Sequence, residues 1–372
     1  MAVETKKGVK QIPIFIPAKS KEVFKRELGQ KNILKLSANE SRMGCSPKVA
    51  EALLQMEDEF SSYPDVGCTV LKEKVASFHG VKEEQVVFGN GSFELILLIA
   101  QAYLEESEEV ITPVPSFGWY IVASFHRNAI VKKIPLKEFE VDLEGMLQAV
   151  TNKTKIIWLC NPNNPTGKLI PYRELKEFVE RVPQNVLIVL DEAYIDFAPA
   201  DYQDAVPLIQ KYDNLVVLRT FSKLYGLASF RIGYALAQEE IIQNITRVKL
   251  PINVSAESQV AAIAAFADQE FKKKVYENNR RSLQLYYETF RKWNLNYLES
   301  NGNFVMVNLE RDSREVEQKL AKHGILVRNG EGFGYINWLR ITIGTYEDNQ
   351  TVLAALGEIL NKQTVSEGEE NE

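Results

Sequence analysis

Residues 215–233 read LVVLRTFSKLYGLASFRIG, and within them a strand pattern is followed directly by a lysine. The apolar run Leu215–Leu218 predicts a short buried strand, and Lys223 comes just past its end. In an apolar cleft a lysine ammonium loses solvation, its pKa falls, and the neutral amine can form a Schiff base with a carbonyl compound. The stretch alone fits equally a strand-end lysine whose side chain reaches water.

Two hydroxyls and an arginine accompany this lysine in the sequence. Thr220 and Ser222 stand beside Lys223, and Arg231 follows eight residues after it. A guanidinium fork and short hydroxyl donors suit a phosphate, because they offer it charge-assisted hydrogen bonds. An amine beside a phosphate site suggests pyridoxal phosphate, which is an aldehyde that carries a phosphate.

Length and composition indicate a globular protein with one large and one small domain. The chain has 372 residues, and 45% of them are hydrophobic. The net charge of -6 argues against a nucleic-acid surface, and no apolar run reaches membrane-spanning length. The N-terminus lacks the apolar region of a signal peptide. Three scattered cysteines and three scattered histidines predict a reducing, cytoplasmic compartment and no metal site.

Two turns that follow predicted strands indicate ligand-binding positions. Gly89–Ser92 comes after Val86–Phe88 and before a helical pattern, so its glycines and a Ser92 N-cap would present the first helical N–H groups to an anion. Pro162–Gly167 follows the apolar strand Lys155–Cys160 and predicts a rigid turn, at the strand end where open α/β sheets bind ligands. An ordinary strand–helix turn also fits the first pattern.

A carboxylate stands at the tip of another predicted strand. Asp191 ends the apolar run Val186–Leu190. A buried carboxylate is unfavourable unless a cation meets it, so Asp191 needs a positive partner. A protonated pyridine nitrogen would serve, and so would a structural Arg or Lys. Phe117, past the end of a further strand, could stack on a flat ring, although aromatic residues in such places are more often core.

The order of the predicted elements divides the chain into four parts. Pro13 and Pro17 interrupt an apolar run, which predicts an extended N-terminal arm over residues 1–35. Alternating strands and helices over 36–255 predict a large α/β domain with a mostly parallel central sheet flanked by helices. Residues 256–362 predict a smaller α+β domain, and the acidic end, 363–372, predicts disorder.

Taken together, these motifs resemble the fold type I aminotransferases that use pyridoxal phosphate, and more closely the histidinol-phosphate aminotransferase family. The resemblance spans nearly the whole chain, and the ordered set is specific although each motif alone is weak. The matching motifs are YPD (63–65), GNGS (89–92), P-x-F-x-x-Y (115–120), PNNPTG (162–167), DEAY (191–194), TFSK (220–223), the arginine at 231, VR (327–328) and LRITIGT (339–345).

The resemblance implies a role for each matched residue. Lys223 would hold the cofactor covalently and move a proton, Asp191 would keep the pyridine nitrogen protonated, and Tyr194 would assist. The implied cofactor contacts are Tyr63 from a partner subunit, Gly91, Ser92, Phe117, Asn164, Asp191, Tyr194, Thr220, Ser222, Lys223 and Arg231. A site completed by a second subunit implies a homodimer.

The resemblance also implies the substrates. Asn39, Arg328 and Arg340 would bind histidinol phosphate as amino donor and 2-oxoglutarate as acceptor, in histidine biosynthesis. One guanidinium can serve in turn the phosphate of the donor and the carboxylate of glutamate, because its fork fits both. Arg328 rests on a two-letter motif and could instead be a surface charge.

Three departures from the family pattern leave the amino donor open. Phe93 replaces an acid in the usual GNGSDE, Phe15 stands where many relatives have a tyrosine, and Arg42 adds a cation near the mouth of the site. An aromatic amino-acid aminotransferase is one alternative, favoured slightly by Phe15, Phe93 and Trp119, and a phospho-amino-acid decarboxylase is another. A non-catalytic cofactor-binding domain of a transcription factor would need a DNA-binding module, for which neither terminus has room.

Overall fold

The computed structural model describes residues 3–14, 21–29, 32–56 and 61–362. Its strands are β1 (Leu34–Lys35), β2 (Val86–Asn90), β3 (Glu109–Val114), β4 (Ile130–Pro135), β5 (Thr154–Cys160), β6 (Leu187–Asp191), β7 (Leu215–Thr220), β8 (Ile232–Leu236), β9 (Tyr297–Leu298), β10 (Phe304–Asn308), β11 (Ile325–Leu326), β12 (Arg328–Asn329) and β13 (Trp338–Thr342). Its α-helices are α1 (Lys21–Leu28), α2 (Pro47–Leu54), α3 (Thr69–His79), α4 (Ser92–Tyr103), α5 (Trp119–Phe125), α6 (Leu143–Gln148), α7 (Tyr172–Arg181), α8 (Glu239–Val248), α9 (Ala256–Ala267), α10 (Gln269–Lys292), α11 (Ser313–Lys322) and α12 (Tyr346–Leu360).

The central sheet explains why the apolar runs of the sequence are continuous. Among the described residues it has seven strands in the order β2-β8-β7-β6-β5-β3-β4. Strands β3 to β7 pair in parallel, and β8 is antiparallel to both of its neighbours. Helices pack on both faces, so that β6, β7 and β8 are buried along their whole length.

The register of the parallel strands aligns their carboxyl ends. Cys160 lies opposite Asp191 between β5 and β6, and Asp191 lies opposite Leu218 between β6 and β7. The turn that starts at Asn161 and the segment that carries Lys223 therefore leave the sheet at the same edge. This is the edge at which open α/β sheets place their ligands.

A second sheet in the described residues is antiparallel, with the strand order β12-β13-β10-β9. Arg328 and Arg340 are opposite each other in its β12–β13 pair. Strand β1 pairs in parallel with β11, and Leu36 is buried in the apolar cluster of this C-terminal half. Its carbonyl accepts a hydrogen bond from the Thr342 N–H at 2.9 Å. Residues 37–40 consequently run between the two sheets.

Two details correct the sequence predictions. The arm contains helix α1, not only extended chain, because no proline or glycine interrupts residues 21–28. Ser92 is the first residue of α4 instead of its N-cap, because Gly91 holds the cap position with φ 75°, a value that favours glycine. Phe15 and the acidic end 363–372 lie outside the described residues. Among the residues that the structure covers, no helix has the length and apolar character to cross a bilayer.

Candidate active site

A cavity of about 280 Å³ lies where the parallel strands end. Most of the residues that the motifs single out line it, although they come from distant parts of the chain. The lining residues are Ala38, Glu40, Ser92, Phe93, Phe117, Cys160, Asn164, Asp191, Ala193, Tyr194, Thr220, Ser222, Lys223, Ala228 and Arg231.

Lys223 forms one wall of the cavity. Its Nζ donates a hydrogen bond to the carbonyl oxygen of Ala38 at 3.3 Å and lies 5.6 Å from the centre of the Tyr194 ring. Burial, helped by the charge of Arg340, lowers the pKa of Lys223 to about 8, although Glu40 and Asp191 oppose the change. A substantial fraction of this amine is therefore neutral just above neutral pH, as a nucleophile or proton carrier requires.

Asp191 lies at the floor of the cavity and is 3% exposed. Its Oδ2 accepts a hydrogen bond from the Tyr120 hydroxyl at 2.8 Å, and its Oδ1 accepts one from the Ala193 N–H at 3.2 Å. Burial raises the pKa of Asp191 to about 6, whereas the two hydrogen bonds hold it down. The carboxylate is thus poised to ionise fully when a cation enters the cavity.

A structural arginine is present near Asp191, but it pairs with other carboxylates. Arg219 donates to Glu192 at 2.6 Å and to Asp204 at 2.7 Å. The sequence left two partners open for Asp191, a protonated pyridine nitrogen and a structural Arg or Lys. Arg219 does not serve as the second of these, because it is paired with Glu192 and Asp204. Asp191 remains available to a positive group inside the cavity.

A hydrogen-bonded network of polar side chains faces Lys223. The Tyr194 hydroxyl accepts from Asn39 Nδ2 at 3.0 Å and from Asn164 Nδ2 at 3.3 Å. Arg340 donates through Nη1 to Asn164 Oδ1 at 2.6 Å and through Nη2 to the carbonyl of Ser37 at 2.8 Å. Burial raises the pKa of Tyr194 to about 12, so this phenol keeps its proton and remains a donor. Arg340 Nε is buried and has no hydrogen-bond partner among the described residues.

Hydroxyl, amide and guanidinium groups form a third part of the site, which we call the phosphate cradle: Thr220, Ser222, Arg231 and the N–H groups at Gly91 and Ser92. Ser222 Oγ lies 3.0 Å from Thr220 Oγ1 and 3.4 Å from Arg231 Nη1. A Cβ at Gly91 would come within 2.3 Å of Arg231 Nη2. Only glycine therefore lets the start of α4 approach the guanidinium, and together they make a concave site for an anion.

Several predicted residues lie outside the cavity lining. Asn39 donates to Tyr194, and Arg340 donates to Asn164, so both are next to residues that line it. Gly91 lies against the Arg231 guanidinium.

Tyr63, Arg328 and Arg42 are also outside the lining. Tyr63 is 85% exposed, on the loop before α3. Arg328 is exposed on β12, opposite Arg340. The sequence predicts that Arg42 adds a cation near the mouth of the site. In the structure its charge is paired instead, because its Nε donates to Asp348 at 2.9 Å. That carboxylate stands in the first turn of α12, far away in the sequence.

Some residues of the site escape sequence reasoning. Tyr120 is the last residue of the P-x-F-x-x-Y motif, but the sequence gives it no role toward Asp191. Cys160 directly precedes the Asn-Pro turn. Ala38 and Glu40 also line the cavity, but Ala38 contributes a backbone carbonyl, for which side-chain chemistry carries no signal.

The donor set fits pyridoxal phosphate. An amine suited to an aldehyde, a buried carboxylate suited to a pyridinium and a cradle suited to a phosphate occupy separate parts of one cavity. Because Gly91 has no side chain, the Arg231 guanidinium can lie directly against the start of α4, so that both can face one phosphate. Each of the three chemical groups of the cofactor thus has a counterpart.

Comparison with known proteins agrees with this geometry. Residues 31–356 match the family model described as aminotransferase class I and II, so the chain belongs to this family. The histidinol-phosphate aminotransferase of Geobacillus sp. (strain WCH70) is 42% identical to it over 362 residues, which are 97% of this chain and 99% of that protein. Histidinol-phosphate aminotransferase 2 of Carboxydothermus hydrogenoformans is 42% identical over 95% of this chain and 99% of its own length.

A solved structure extends the likeness to the fold. The histidinol-phosphate aminotransferase of Sinorhizobium meliloti, in complex with pyridoxal-5'-phosphate, superposes with a TM-score of 0.90 at 28% identity. The match covers 97% of this chain and 98% of that chain. The resemblance to the histidinol-phosphate aminotransferase family and the predicted fold class are therefore confirmed.

Proposed function

We propose that the protein transfers the amino group of histidinol phosphate to 2-oxoglutarate, with pyridoxal phosphate as cofactor, and forms imidazole acetol phosphate and glutamate. The observation that carries this proposal is the meeting of Lys223, Asp191 and the phosphate cradle in one cavity beside Arg340. The names of the relatives supply the donor, and the geometry is consistent with it.

The residues of the cavity divide the binding of the cofactor among them. The phosphate cradle would hold its phosphate, Phe117 would stack on its ring, and Asp191 would face the ring nitrogen. Asn164 and Tyr194 would donate hydrogen bonds to its phenolic oxygen. When bound, the cofactor supplies a ring that withdraws electrons from the substrate carbon that loses its proton.

Lys223 would move that proton. Its Nζ has a pKa of about 8, so it can accept a proton from the substrate carbon and return it without a large free-energy difference near neutral pH. Asp191 has a fixed position because Tyr120 and the Ala193 N–H hold its two oxygens. A charge fixed in this way stabilises a cation without reorganisation during the reaction.

The arginines of the second sheet would receive the anion of each substrate. Arg340 is held by Asn164 and Ser37 and retains an Nε without a partner among the described residues. Arg328 stands opposite it on the neighbouring strand. A phosphate dianion gains more from two guanidinium groups than a carboxylate does, so this pair favours a phosphorylated donor.

Tyr63 would complete the cradle of a second subunit in a homodimer. Its 85% exposure in the isolated chain supports a role outside its own cavity. We expect a mixture of Lys223→Ala and Tyr63→Ala variants to contain some sites with both residues intact and so to exceed the activity of Tyr63→Ala alone. No gain, in a mixture with proven subunit exchange, would mean that each site is built from one chain.

A panel of amino donors with 2-oxoglutarate tests the proposed reaction. Histidinol phosphate should give the highest kcat/KM, with measurable turnover of phenylalanine or tyrosine. The second candidate, an aromatic amino-acid aminotransferase, is favoured by one observation: Phe93 lines the cavity with its ring centre 4.2 Å from that of Trp119. A higher kcat/KM for phenylalanine than for histidinol phosphate would establish that candidate and overturn the first.

A further inference from the structure

Arg328 and Arg340 form a pair of like charges on adjacent strands. They occupy directly opposite positions of the antiparallel β12–β13 ladder. Opposed like charges destabilise such a pair of strands. Burial, with the charge of Arg328, lowers the pKa of Arg340 to about 10. The two guanidinium groups therefore repel each other, and other contacts must keep them close.

Phe333 contacts both arginines. Its ring centre lies 5.3 Å from Arg340 Cζ and 6.0 Å from Arg328 Cζ, within the range of a cation–π interaction. Arg340 has further contacts, with Asn164, Ser37 and the Phe304 ring at 5.5 Å. Apart from the backbone pairing of its strand, Arg328 makes no side-chain hydrogen bond or ion pair with any residue that the structure describes. The position of the Arg328 side chain therefore depends more on the Phe333 ring than the position of Arg340 does.

The turn that carries Phe333 is held in place by its glycines and by neighbouring aromatic residues. Phe333 ends a single 3-10 turn that runs between Gly330 and Gly334. A Cβ at Gly330 would come within 2.1 Å of the Tyr335 carbonyl oxygen, so the turn closes only on a glycine. Tyr335 and Trp338 in turn pack on Phe139, at 5.4 and 5.0 Å between ring centres. The turn is thus anchored to the segment between β4 and α6 of the larger half.

We infer that Phe333 is a positioning residue that holds the Arg328 guanidinium beside that of Arg340, and thereby sets the preference of the site for a phosphate over a carboxylate. The inference rests on the proposed function, because it concerns the anion of the same substrates. Removal of the ring frees Arg328, which a dianion needs, while Arg340, which suffices for a carboxylate, keeps its other partners.

Two substitutions at this position separate the electrostatic contact from simple packing. Phe333→Leu keeps an apolar side chain without an aromatic ring, and Phe333→Tyr keeps the ring. Ile336→Ala is the matched control, because Ile336 lies in the same segment, is 54% exposed and carries no aromatic ring. Each variant is prepared with bound cofactor, and KM and kcat are measured for histidinol phosphate and for glutamate. Inorganic phosphate is the independent probe, as a competitive inhibitor against glutamate.

We expect Phe333→Leu to weaken binding of the phosphate anion much more than binding of the carboxylate anion. Phe333→Leu should raise KM for histidinol phosphate and the inhibition constant of phosphate by about three- to tenfold. KM for glutamate should change less than about twofold, with kcat nearly constant. Phe333→Tyr and Ile336→Ala should behave like the parent protein.

Three outcomes would overturn the inference. The first is a Phe333→Leu variant in which KM for glutamate rises as much as the inhibition constant of phosphate. The second is a Phe333→Tyr variant that loses as much phosphate affinity as Phe333→Leu. The third is a parent holoenzyme that phosphate does not inhibit. Failure of the proposed function gives a different result, because histidinol phosphate would then not be a donor. The phosphate inhibition constants would still decide the role of Phe333.

Discussion

Substitution of Tyr120 by phenylalanine tests whether Asp191 is the group that pairs with the ring nitrogen of the cofactor. The Tyr120 hydroxyl donates to Asp191 Oδ2 at 2.8 Å, and both residues are buried. The ring of Tyr120 stacks on Trp158, with centres 5.3 Å apart and planes 3° from parallel. Phenylalanine keeps this stacking, so the substitution removes the hydrogen bond with little change in packing.

The size of the effect follows from the charge on the acceptor. A hydrogen bond to a charged group contributes about 1.5–3 kcal/mol, and one pKa unit corresponds to about 1.4 kcal/mol. The bond lowers the pKa of Asp191, which is about 6 in the ligand-free protein. Tyr120→Phe should therefore raise this pKa to between about 7 and 8. At pH 7 the ionised fraction of Asp191 should fall from about nine-tenths to between about one-half and one-tenth. The dissociation constant of pyridoxal phosphate at this pH should therefore rise by about two- to tenfold.

Titration of the ligand-free enzyme with pyridoxal phosphate between pH 5.5 and 9, followed by absorbance, measures both quantities. A protonated Asp191 cannot pair with a cation, so affinity should fall as the pH drops through the pKa of Asp191. In the parent protein this fall should occur near pH 6 and in the variant at a higher pH, so that the two converge toward pH 9. Tyr202→Phe is the control, because its hydroxyl bonds to Asn161 and Ile170 instead.

Weaker binding by the same factor at every pH would refute this reasoning. It would mean that Tyr120 acts through the shape of the cavity and not through the ionisation of Asp191. An unchanged pH profile with unchanged affinity would mean that another group meets the ring nitrogen.

The remaining predictions concern the cofactor lysine, the buried carboxylate and the Asn-Pro turn. Borohydride treatment of the yellow holoenzyme should fix a pyridoxyl group to Lys223, and mass spectrometry that finds it on another lysine would exclude this residue. Because the folded pKa of Asp191 lies above its unfolded value, the contribution of this carboxyl to the stability of the ligand-free protein should be lost as pH rises from about 4 to about 6. At pH 8 the free energy of unfolding of ligand-free Asp191→Asn should therefore exceed that of the parent by up to about 3 kcal/mol, although the variant should lose several orders of magnitude in activity. A lower melting temperature than the parent's at this pH would contradict the expectation. Gly167→Ala should lower the free energy of unfolding, measured in urea, more than Gly80→Ala does. Both glycines have positive φ, but only at Gly167 would the Cβ meet Ser300, at 2.2 Å. Equal losses of stability in the two variants would contradict the clash.

The strand-end positions of the site follow from local patterns. Asp191 and Lys223 each come after an apolar run that becomes a buried strand, and Asn164 lies in a turn rich in proline and asparagine. Burial of a parallel strand requires consecutive apolar residues, and a turn requires specific residue types, so both can be recognised within a few positions. The division of the chain into a large and a small domain remains a prediction of the same kind.

The partners of these residues depend on the tertiary structure. Nothing near Asp191 in the sequence indicates that Tyr120 holds it, or that Arg219 pairs with Glu192 instead. Arg42 likewise pairs with Asp348.

The sequence by itself therefore determined the family, the strand order along the chain and the residue types of the site. Only the packed chain decided which charge meets which, because contact between residues that are distant along the chain depends on strand register and on how the two sheets pack. A pKa depends on these contacts and on burial, so the shifts of Lys223 and Asp191 also appear only in the folded protein.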